Sequence, residues 1–141
     1  MYHRFDEHKY PSTNIQMDIF KEQINIIENL KINFLHPKNL NEEILKPNKV
    51  KKILFTIDDG FQSFYDNAWP ILKKKNIPFI LFISTAYVGK KGYMNWEQIK
   101  EVEKNGLGII GNHSHTHEYL VDKTNNQIIN DIILAIELFE K

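Results

Sequence analysis

Short apolar runs alternate with stretches of helical periodicity along the whole chain, and this alternation narrows the fold more than any other feature. Residues 32–35, 52–57, Phe79–Ile83 and 107–111 read as strands, with Phe79–Ile83 apolar on both faces as in a strand covered on both sides. Between them, Met17, Phe20, Ile24, Ile27 and Leu30 recur at helical spacing with Asp18 in the first turn, which predicts a helix over Met17–Asn29. Residues 39–45 read as a short helix broken at Pro47-Asn48, and residues 63–75 as a helical stretch that Pro70 restarts at an offset. Asn95 caps a helix over Trp96–Lys104 that Asn105-Gly106 stops. A last helix, capped by Asn125 or Asn126, presents Ile129, Ile132, Ile133, Ile136 and Leu138 as its apolar face. Strand and helix thus repeat about four times, which implies a parallel sheet, closed as a barrel or open and doubly wound.

In either form the ligand site lies at the carboxyl ends of the strands. The run at 52–57 ends in Asp58-Asp59-Gly60, the run at 107–111 leads into His113-Ser114-His115-Thr116-His117, and His3 marks a third strand end, within the opening segment Met1-Tyr2-His3-Arg4-Phe5. Three sets of chemically able residues therefore fall on one rim. That opening segment looks like the tail of a strand, and the closing helix keeps an apolar residue, Phe139, near the chain end. Both features set the expectation of a piece cut at both ends, with any export signal left undetermined.

At 141 residues the chain is about one domain, long enough for one sizeable core. Lysine plus arginine equals aspartate plus glutamate at 18 each, so there is no basic field for nucleic acid and no polybasic membrane patch. No apolar run approaches the roughly 20 residues of a membrane span. Compartment and oligomeric state are left open. Cysteine is absent, so a metal site here must use histidine, aspartate or glutamate.

Adjacent carboxylates at a strand end repel, and a cation or a shared proton relieves them. Alone, Asp58-Asp59-Gly60 reads equally as an Asp-Gly turn, or as an oxygen-only magnesium site of phosphotransfer folds. Histidines four apart share a face of a helical turn, so His113 and His117 grip one ion while His115 points away; in an extended strand all three share a face. Two imidazoles and one carboxylate with open positions suit zinc or a similar Lewis-acidic divalent ion. One aspartate then binds the metal and the other takes a proton from the attacking water. We assign Asp59 to the metal and Asp58 to the base, although spacing alone does not choose between them. His3 on the same rim suits a proton donor to a departing amine. His8 and His36 read as surface residues, Tyr65, Trp69, Trp96 and Tyr119 as packing rather than sugar platforms, and Gly89-Lys90-Lys91-Gly92 as a solvated turn.

Thr56-Ile57-Asp58-Asp59-Gly60 resembles the first motif, Thr-Phe-Asp-Asp-Gly, of the polysaccharide deacetylases of carbohydrate esterase family four, the NodB-homology domain. Ile57 stands where that family usually has Phe. Gly111-Asn112-His113-Ser114-His115-Thr116-His117 resembles its second motif, Gly-Asn-His-Ser/Thr-x-x-His. The likeness runs from about Lys51 to Leu120. It implies Asp58 as catalytic base, Asp59, His113 and His117 as metal ligands, and a distorted (β/α) barrel. The implied reaction removes N-acetyl groups from an amino-sugar polysaccharide or oligosaccharide with a divalent cofactor, zinc foremost. Met1-Tyr2-His3 resembles the fifth motif, apolar-x-His, whose histidine is the catalytic acid. That motif comes first in the permuted branch acting on poly-N-acetylglucosamine.

The family's third motif, Arg-x-Pro-Tyr/Phe, and its fourth, with Asp and Trp, have no counterpart in the chain. The expectation is thus that residues 1–141 are the N-terminal portion of the domain, a partial barrel with parallel strands, poorly stable and with little turnover alone. The competing readings are a hydrolase of another carbon–nitrogen bond, such as a cyclic amide, and a non-catalytic glycan-binding remnant.

Overall fold

The computed structural model describes residues 1–46 and 50–140. Its elements follow the chain as β1 (Arg4–Phe5), β2 (Asn14–Ile15), α1 (Met17–Asn29), β3 (Asn33–Phe34), α2 (Leu40–Leu45), β4 (Lys52–Ile53) and β5 (Phe55–Ile57). They continue as α3 (Trp69–Lys75), β6 (Phe79–Ile83), α4 (Trp96–Lys104), β7 (Gly108–Asn112) and α5 (Asn125–Phe139). Every pair of these strands is parallel: β1 with β2, β3 with β4, and β5–β6–β7 in that order. Among the described residues the strands do not close into a barrel, so the α/β architecture is an open, partial one.

Helix α1 lays Met17, Phe20, Ile24 and Ile27 into the core, the stripe its periodicity demands. There Phe20 meets Phe5, Phe55 and Tyr2 ring against ring. Strand β6 buries Phe79, Leu81 and Ile83, whereas Ile80 and Phe82 are half-buried. The sheet is therefore covered fully on one face and partly on the other, not on both as its apolar run suggested. Helix α4 opens with a reciprocal capping box between Asn95 and Gln98.

The run expected as one strand over 52–57 is two, interrupted at Leu54: β4 pairs with β3 and β5 with β6. Two different partners divide it. The stretch expected as a helix at 63–68 is a π-helical turn over Phe64–Ala68, in which the Trp69 N–H bonds back to Phe64 O. Pro70, without an N–H to extend an α ladder, sits in the first turn of α3. The expected break at Pro47-Asn48 lies outside the described residues.

The last helix differs most. Its cap is Thr124, in a capping box with Gln127, rather than Asn125 or Asn126. Ile129, Ile133 and Ile136 are 52%, 48% and 45% exposed, and Ala135 is the residue that is buried. Asp131, Ala135 and Phe139, four apart, form the contacting stripe: Asp131 bonds the histidine loop and Phe139 packs edge-on against Trp96. Composition marked the isoleucines as apolar, but the histidine loop and Trp96, against which the helix rests, select a narrower face. No described helix is long and apolar enough to cross a membrane.

Candidate metal centre

The carboxyl ends of β5, β6 and β7 build the site. Beyond β5 the chain turns sharply through Asp59 and Gly60, with φ of 74° and 68°. The left-handed φ at 60 favours glycine, and a Cβ there would also press on the tip of Ile83, 2.6 Å from its Cδ1. The turn sends the Asp58 and Asp59 side chains into different surroundings.

Asp58 is 7% exposed. Its backbone N–H donates to Tyr2 O at 2.9 Å, and Tyr2 pairs with Ile57 in a parallel bridge, so the segment carrying His3 runs alongside β5. His3 Nε2 consequently lies 3.9 Å from Asp58 Oδ2. Burial pushes the Asp58 carboxyl above the ordinary range; His113, His3 and the amino terminus oppose this and Asp59 reinforces it. A raised carboxylate is a stronger base.

Asp59 faces the histidines. Its Oδ1 lies 3.1 Å from His117 Nε2 and 3.4 Å from His113 Nε2, yet it makes no hydrogen bond although it is buried. The three groups are close without being aimed at one another as donor and acceptor. One ligand atom from each of Asp59, His113 and His117 lies within 4.8 Å of the others. A buried acceptor left unbonded is costly, and a cation among these three atoms removes the cost. The two-nitrogen, one-oxygen donor set suits a borderline ion such as zinc.

The histidines meet by neither expected route. Residues 113–119 are a loop, not a helical turn or a strand. Ser114 and His117 adopt φ of 65° and 58°, and these two left-handed residues fold the chain back until the His113 and His117 rings are 4.9 Å apart. The Ser114 hydroxyl accepts from the His117 N–H at 3.1 Å. His115 turns away, its Nδ1 2.8 Å from Thr85 Oγ1.

The remaining candidates fall outside the centre. His8 is exposed, and His36 accepts from Lys38 N and lies 3.0 Å from Gly106 O. Trp69 is buried, Trp96 packs on Phe139, and Tyr65 donates to Glu101. Sequence reasoning missed the cavity wall. Phe61, Ser84, Tyr87 and Tyr93 join Asp59 and His117 around a space of about 200 Å³. Tyr93 is covered by Phe61 on one side and Tyr87 on the other, at ring separations of 4.9 and 5.0 Å. Its hydroxyl therefore loses solvation, and burial raises its pKa. The glycines at 89 and 92, which bracket the turn before Tyr93, were the available signal. His113 and His117 also line a second groove, together with Asn112, Ser114, Tyr119 and Leu120; Tyr119, read as packing, is 82% exposed.

Poly-beta-1,6-N-acetyl-D-glucosamine N-deacetylase of Staphylococcus aureus (strain MSSA476) is 37% identical over 70 residues, covering 46% of this chain and 24% of that protein. The chain thus spans about a quarter of the length of the curated relatives it matches. The solved structure of IcaB from Ammonifex degensii superposes with a TM-score of 0.83 at 27% identity, over 95% of this chain and 64% of that one. BC0361, a polysaccharide deacetylase from Bacillus cereus, has the same fold, with a TM-score of 0.82 at 23% identity over 99% of this chain and 45% of its own. The family model for polysaccharide deacetylase matches residues 45–141, which include Asp58, Asp59 and the whole histidine loop. The chain belongs to the polysaccharide deacetylase family.

Proposed function

We propose that the chain carries the metal centre, base and acid of an N-deacetylase acting on an amino-sugar polysaccharide, with N-acetylglucosamine units as substrate. The observation that carries the reading is the gathering of Asp59, His113 and His117 around one point, with Asp58 and His3 paired beside it. The name of the Staphylococcus aureus relative supports poly-β-1,6-N-acetylglucosamine as the polymer. The early position of His3, ahead of the acidic pair, supports the permuted branch of the family.

Asp59, His113 and His117 would hold one divalent ion, zinc by donor type. When bound, that ion supplies Lewis acidity toward the amide carbonyl and the attacking water. Asp58, raised by its burial, takes the proton from that water at a carboxylate oxygen. His3, beside Asp58, delivers a proton to the amide nitrogen as the C–N bond breaks, leaving acetate and a free amine. The Phe61–Tyr93–Tyr87 pillar walls the cavity next to Asp59 and limits bulk water there.

Even at the low turnover expected of residues 1–141 alone, acetate release from β-1,6-linked N-acetylglucosamine oligomers tests this directly. Release should require added zinc, stop with chelator, and be lost in Asp58→Asn and in His3→Ala. Release that ignores chelator, or ring opening of a cyclic amide in place of acetate release, would count against the assignment.

A further inference from the structure

Both oxygens of Asp131, in the second turn of α5, are used on the loop that carries the two histidines. Oδ2 accepts from the His115 N–H at 2.7 Å, while Oδ1 accepts from the Thr116 N–H at 2.9 Å and the Thr116 hydroxyl at 2.6 Å. Hydrogen bonds to an ionised carboxylate are the strong kind, and two consecutive backbone donors on one carboxylate define an orientation as well as a distance. The opposite flank of the loop is held from the end of β6. Ser84 Oγ donates to His113 O at 3.0 Å, and the Ala86 N–H donates to His115 O at 3.0 Å. The loop is clamped between a helix and a strand end while Ser114 and His117 hold left-handed conformations that a free peptide would abandon.

We propose that Asp131 is the positioning residue for the metal-holding histidines. Its carboxylate fixes the His115–Thr116 backbone and so sets the separation and direction of the rings on either side of it. The inference rests on the metal reading above. Asp131 stands outside the group of Asp59, His113 and His117, so it acts through the backbone rather than as a ligand. Without it, two loop N–H groups lose their acceptor and His113 and His117 are free to diverge.

The test uses the 141-residue chain, with zinc affinity read by competition against a chromophoric chelator and ligand geometry read from the visible spectrum of the cobalt-substituted protein. Asp131→Ala should lose about 10- to 100-fold in zinc affinity and alter the cobalt spectrum. Asp131→Asn keeps one acceptor oxygen for Thr116 and should lose less. Ala135→Gly, one turn along the same helix, controls for loss of helix stability and should leave both readouts unchanged. Wild-type affinity and spectrum in Asp131→Ala would overturn the proposal whatever the variant's melting temperature. So would a loss in Ala135→Gly equal to that in Asp131→Ala. Failure of the wild-type chain to bind zinc would remove the metal reading, and this proposal with it.

Discussion

Asp59 Oδ1 and His117 Nε2 lie 3.1 Å apart, and both residues hold left-handed backbone, with φ of 74° and 58°. Neither is glycine. The fold therefore accepts two unfavourable backbone conformations to bring one carboxylate to one imidazole, and unfavourable geometry of this kind concentrates at functional sites.

His117→Gly separates conformational cost from function. The metal-free variant should be as stable as the wild type or up to about 1 kcal/mol more stable, because glycine adopts this conformation freely. Its zinc affinity should collapse. Urea unfolding in chelator and a zinc titration measure the two effects, and a stability loss above about 1 kcal/mol would show that relief of strain does not offset loss of the imidazole.

Gly60→Ala should do the reverse and harm both. The added Cβ would meet Ile83 Cδ1 at 2.6 Å in a backbone of φ 68°. We expect a cost of about 1–3 kcal/mol in urea unfolding together with weaker zinc binding, since Asp59 is the preceding residue.

Phe20→Ala tests how the core reaches the site. Phe20 is fully buried and makes edge contacts with Tyr2 and Phe5, with ring centroids 5.1 Å apart in each pair. The cavity should cost about 3–5 kcal/mol. Loosening Tyr2 should also speed hydrogen exchange at the Asp58 amide, which donates to Tyr2 O. Unchanged exchange relative to amides of β6 would separate the aromatic cluster from the site.

Zinc should stabilise the chain by linkage. At a free concentration about 100 times the dissociation constant the gain is about 2.7 kcal/mol. Calorimetry with and without chelator should show it in the wild type and not in a His113→Ala, His117→Ala double variant. An equal gain in both would place the binding elsewhere.

Local signals were the most legible in the sequence. The bounds of α1 and α4 follow from helical periodicity and, for α4, from Asn95, because those determinants lie within the helix or next to it. Strand β6 is likewise continuous in the apolar run that predicts it. The break at Leu54 depends on which strands lie alongside, and the exposed isoleucines of α5 depend on where that helix rests. Neither is written in local periodicity. The residues gathered at the centre were marked by type and order along the chain, but the loop that joins His113 to His117 was not, since its reversal relies on Ser114 and on Asp131 fourteen residues beyond His117. Tyr93 reaches the cavity through an antiparallel bridge with Phe61, a pairing no motif announces.

The rung between Tyr2 and Ile57 has a further consequence. His3 and Asp58 are each the next residue along from that rung, on neighbouring segments of one ladder. Their spacing is inherited from the fixed pitch between adjacent strands, about 4.8 Å, rather than from the length of any connecting loop. Insertions or deletions in the surface turns between residues 6 and 40 can therefore accumulate without retuning the distance between the two side chains. A single break in the ladder would uncouple them at once.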